Sequence, residues 1–125
     1  MEEKLNRLKD IKTENYIWII YIGIIFLSFY ANELEKKFIL YDDEEARKNY
    51  QNTIILIFSI LVIIYYYFAN SDYKNLKNLN ETDTDKKIIL TFLSFIGSSL
   101  VLISGIIFLI IAYLDEEISI ELAFN

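Results

Sequence analysis

The sequence predicts an all-α integral membrane protein with three transmembrane helices, and three observations carry that reading. Hydrophobic residues make up 54% of the 125. They gather in three blocks, 16–31, 54–69 and 88–114, which contain no Asp, Glu, Lys, Arg or His. The remaining chain is too short to cover three such blocks in a water-soluble core. Helices 1 and 2 are expected to extend beyond the bilayer, and residues 1–125 to form a single membrane domain ending in a short extended tail.

Residues 1–15 alternate charged and apolar side chains, with Leu5, Leu8 and Ile11 at helical spacing and Glu3 four residues before Arg7. They form an amphipathic lead-in with four basic and four acidic groups, and lack the small-x-small pattern of a cleavage site. An uncleaved first span is expected. As helix the first block would cover ~24 Å of a hydrocarbon layer ~30 Å thick. Tyr16, Trp18 and Tyr21 at one end and Tyr30 at the other suit the interfacial belt that bridges the deficit.

The connection 32–53 has no Gly or Pro to break a helix. Asp42 reads as an N-cap, with Asp43, Glu44 and Glu45 forming an acidic first turn. Glu33–Lys37, Asp43–Arg47 and Glu44–Lys48 are acid-before-base pairs four residues apart. Helix 1 is therefore expected to run to about Lys37 and helix 2 to begin near Asp43. The acidic run lacks the spaced ligands and Gly of a calcium loop, and adjacent residues fan round a helix instead of converging.

The second block ends in Tyr65, Tyr66 and Tyr67, which point in three directions on a helix and read as interfacial anchors. Residues 70–87 are the most polar, with Tyr73, Leu76 and Leu79 at helical spacing before an expected break at about Asn80. Thr82, Asp83, Thr84 and Asp85 offer caps for helix 3. The third block, ~40 Å as helix, exceeds the bilayer and must tilt or protrude. Small residues at helical spacing allow close helix approach in lipid, so Ser94, Gly97, Ser98, Val101 and Gly105 are the expected packing face. After Leu114 the period changes to two, placing Ile118, Ile120, Leu122 and Phe124 on one side either of a candidate interaction strand or, the favoured alternative, of a frayed or helical end lying on the membrane surface with Phe124 in the interface.

Composition narrows the function. Without His or Cys the chain has no ligand set for zinc, haem, iron–sulfur or copper of the usual kind, and no thiol chemistry. No cofactor is expected. The three glycines all lie in apolar blocks, so no glycine-rich loop cradles a phosphate. A net charge of −6 argues against nucleic-acid binding. Abundant Ile, Lys and Asn, few Ala and no Pro are what AT-rich codons produce, which suggests a low-GC bacterial source.

Basic residues number four in each of 1–15, 32–53 and 70–87, and none in 115–125. With three spans, the positive-inside rule places the N-terminus and 70–87 in the cytoplasm, and 32–53 with the C-terminus outside the cell membrane. The apolar blocks carry hydroxyls but no ionisable group beyond Tyr, an unusual composition for an ion-coupled transporter or lipid-phase enzyme. The first expectation is a non-catalytic accessory subunit whose partners are the lipid bilayer and either another membrane protein or further copies of itself. The second is a self-assembling permeabiliser or small channel, holin-like in size and span number. A bacteriocin-immunity or phage-defence protein is the third.

Overall fold

The computed structural model describes residues 1–114, of which 91% are helical; no strand occurs among them. Helix α1 spans Glu2–Tyr41, α2 Glu44–Lys77 and α3 Asp85–Leu114. All three are long and apolar enough to cross a membrane. The proposed tail residues Ile118, Ile120, Leu122 and Phe124 lie outside the described residues. The chain divides into two compact units, Met1–Ile57 and Phe58 onward, the boundary falling inside α2.

In the first unit, α1 begins with Glu2 and Glu3 in its first turn, where carboxylates complement the positive end of the helix dipole. Leu5 and Leu8 of the lead-in are exposed. Arg7 pairs with Glu14, 3.3 Å away and two turns on, and not with Glu3. The helix continues to Tyr41, one turn past the expected Lys37, because nothing between 32 and 41 breaks it. At 40 residues it is ~60 Å long, about twice the hydrocarbon thickness.

The chain reverses over two residues. Asp42 takes the left-handed conformation (φ 50°, ψ 37°), which short polar side chains tolerate better than other non-glycine residues. Asp43, one residue later than the expected cap, accepts the backbone N–H groups of Glu45 (3.1 Å) and Ala46 (3.2 Å). Arg47 then pairs with Glu44 at 3.0 Å, one turn back, in place of the expected Asp43–Arg47 and Glu44–Lys48 pairs. Capping and pairing compete for the same carboxylates, and the cap takes Asp43. The tight reversal brings together the buried faces Ala31, Leu34 and Glu35 on α1 and Ala46, Tyr50, Thr53, Ile54 and Ile57 on α2.

In the second unit, α2 extends two turns past its apolar block to Lys77, absorbing the polar segment that begins at Asn70. A closed turn follows. The Asp83 carboxylate accepts the Asn80 N–H (2.8 Å) while the Asp83 N–H donates to the Asn80 carbonyl (3.0 Å). Thr84 caps α3 by accepting the Lys87 N–H at 3.2 Å, and the Lys87 ammonium reaches back to Asp83 at 3.1 Å. Hydroxyls within the helices are satisfied locally: Ser28 donates to the Ile24 carbonyl (2.8 Å) and Thr91 to that of Lys87 (2.7 Å), so neither needs a distant partner.

Candidate functional site

The arrangement with most chemical content is the seam between the second half of α2 and α3. Four contacts fix its register. Phe58 meets Phe108, with ring centroids 5.7 Å apart. A Cβ built on Gly105 would stand 2.9 Å from Tyr65 Cδ2 and 3.4 Å from Val62 Cγ2. The Ser98 hydroxyl donates to the Asp72 carboxylate. Tyr73 meets Phe95 edge to face at 5.7 Å, and Lys77 Nζ stands 5.3 Å from the Tyr73 ring centroid.

These pairs advance along α2 as they retreat along α3, so the helices are antiparallel. Among the less exposed residues of α3, Thr91, Phe95, Ser98, Leu102, Gly105, Leu109 and Ala112 recur at alternating steps of four and three, with Ile88, Ser99, Phe108 and Ile111 flanking them. That is the heptad spacing of a helix held against a neighbour at a shallow angle. Gly105 is the close approach, because only a residue without a Cβ leaves room for the Tyr65 ring. The aromatic pairs on either side each contribute about 0.5–1.5 kcal/mol beyond their buried area.

Of the five residues expected to form the packing face, the structure brings Ser98 and Gly105 against α2. Ser94, Gly97 and Val101 are exposed, and nothing lies within 4 Å of where a Gly97 Cβ would stand. Asp72, Tyr65 and Tyr73 are the seam residues that the sequence reading did not select. The available signal was length. An apolar block of 27 residues beside one of 16 must run along polar residues for part of its course.

The seam is a packing contact between the two helices. It contains the Asp72 carboxylate, the Ser98 hydroxyl, the Lys77 ammonium and aromatic rings with the phenols of Tyr65 and Tyr73 among them, and among the described residues no group of three or more Asp or Glu converges on a metal position. The acidic run 42–45 is engaged in the reversal, through the Asp43 cap and the Glu44–Arg47 pair. Outside the spans, the Asp83 carboxyl is held below its ordinary value, first by the Asn80 N–H and then by Lys87. Comparison with known protein families, curated proteins and solved structures finds no match for the chain.

Proposed function

We propose that this chain is a three-span membrane protein acting as a non-catalytic accessory or interaction subunit, bound to the bilayer and to a partner membrane protein or to further copies of itself. The observation that supports this reading is the uncovered surface of α3. The most apolar of the three helices, it has only 11% of its apolar window buried, against 33% for α2. Its outer face is a continuous row of exposed residues, Leu100, Ile103, Ile107, Ile110 and Leu114. Such a row in water would cost the burial free energy of ~25 cal/mol per Å² of apolar surface along the whole helix, so it calls for lipid or another helix.

In this reading the N-terminus and the 78–84 connection are cytoplasmic and the 42–43 reversal lies outside the cell membrane, following the distribution of Lys and Arg. The same uncovered face supports a second reading, self-assembly into a permeabilising oligomer. Induced expression in bacteria separates the two. An accessory subunit leaves growth and dye exclusion unchanged and co-purifies in mild detergent with a defined membrane protein; a permeabiliser arrests growth and admits dye. Recovery of the chain in the soluble fraction after lysis would remove both.

A further inference from the structure

The α2–α3 register carries a consequence that neither helix shows alone. The Asp72–Ser98 and Tyr73–Phe95 contacts place the polar end of α2, from Asn70 to Lys77, beside the first half of the apolar run of α3. At this level α3 still exposes Ile89 (57%), Leu93 (55%) and Ile96 (40%), which continue, at the same alternating steps of four and three, the outer row of Leu100, Ile103 and Ile107. The two helices therefore disagree about where the hydrocarbon ends on this side: α2 turns polar at Asn70, whereas α3 first meets charge at Lys87.

We propose that α3 decides, and that the hydrocarbon boundary lies at Lys86 and Lys87, so that Asp72, bonded to Ser98, is an intramembrane carboxylate. This inference rests on the membrane-spanning reading above. The occupant of the Ile89–Ile96 face is lipid acyl chain, because the exposed row crosses the level of Asp72 without a polar interruption and is continuous with the row below it. The neighbouring cations on α2 can be accommodated at that depth: Lys77 stands over the face of the Tyr73 ring, one turn back along the helix, and a Lys stem is long enough to carry an ammonium several ångströms to the headgroups. Asp72 is too short to do the same and takes the Ser98 hydroxyl instead. The apolar blocks supply no ionisable group beyond Tyr, but helix pairing would bring Asp72 to the level of the third, in the class of residue kept in membranes for binding or relay.

The test uses the absence of native Cys. Nitroxides are attached singly at Ile89→Cys, Ile96→Cys, Ile107→Cys and Glu81→Cys, on the full chain in phosphatidylcholine–phosphatidylglycerol vesicles, with helicity checked by circular dichroism. Collision with oxygen is compared with collision with a water-soluble nickel complex. The expected result is oxygen dominance at positions 89, 96 and 107 and nickel dominance at 81, which lies in the connection beyond α2. Nickel dominance at 89 and 96 with oxygen dominance at 107 overturns the inference and leaves the spanning reading standing. Nickel dominance at 107 as well overturns both.

Discussion

Gly105 and Gly97 lie eight residues apart in one helix, yet their surroundings predict opposite responses to a methyl group. At Gly105 the added Cβ meets Tyr65 at 2.9 Å, and overpacking of this kind costs about 1–3 kcal/mol, more than the ~1 kcal/mol that alanine returns in helix propensity. At Gly97 the space is open, so only the propensity gain remains. Gly105→Ala should lower thermal stability in detergent, and Gly97→Ala should leave it equal or raised. Tyr65→Leu should relieve Gly105→Ala, making the double variant less destabilised than the sum of the singles. Equal melting of the two alanine variants would show that the Tyr65 ring does not limit the approach. Asp83 supports a second expectation at this scale. Its folded-state pKa lies below the ordinary 3.8, so its contribution is present above that value and is lost as pH falls through the lowered one. The Asn80 amide should therefore show a protection factor, taken against its intrinsic exchange rate at each pH, that is present at neutral pH, falls as Asp83 is protonated in acid, and is absent at all pH values in Asp83→Ala. An Asn80 amide that exchanges equally in Asp83→Ala and the parent would contradict the closed turn.

At the scale of the element, what was legible in the sequence was whatever hydropathy alone determines. The three apolar blocks each fall inside one helix, and the reversal near 42 and the break near 80 occur where charge and capping residues cluster. Helix ends were less legible. The charged residues 32–41 end an apolar block but do not end a helix, since Glu and Lys are good helix formers and the ladder stops only where Asp42 turns left-handed and Asp43 caps the next helix. The face of α3 that meets α2 was half legible: the small-residue pattern contains Ser98 and Gly105 but is rotated toward Gly97, because in a uniformly apolar helix no polar side marks the opposite face. The register came from Asp72 and Tyr73, beyond the block that the hydropathy pattern delimited. It can be checked directly. In the Cys-free background, Asp72→Cys with Ser98→Cys should close an intrachain disulfide under mild oxidant, whereas Asp72→Cys with Val101→Cys, nearly a turn away on the exposed side, should not. Crosslinking of the second pair in preference to the first would shift the register of the seam.

For the whole molecule, the membrane-spanning reading leaves open which side each connection occupies, and electrostatics predicts it. Insertion retains short segments rich in Lys and Arg in the cytoplasm, while Asp and Glu contribute little to the choice. The 42–43 reversal lies between α1 and α2 and the 78–84 connection between α2 and α3, so a chain that crosses three times places them on opposite sides. The segment 70–87 and the lead-in 1–15 together carry eight basic residues against four in 32–53, a bias that predicts an N-terminus inside. Asp42→Cys should therefore react with a membrane-impermeant maleimide in intact cells, and Asn78→Cys only after the membrane is opened. Both residues are exposed, so accessibility within the protein does not confound the comparison. Labelling of Asn78→Cys with protection of Asp42→Cys would invert the orientation. Labelling of both in intact cells would mean that α2 does not cross, and the continuous α2 from Glu44 to Lys77 would then have to lie along the surface with its buried face, Ile57, Phe58 and Ile64 included, turned toward lipid.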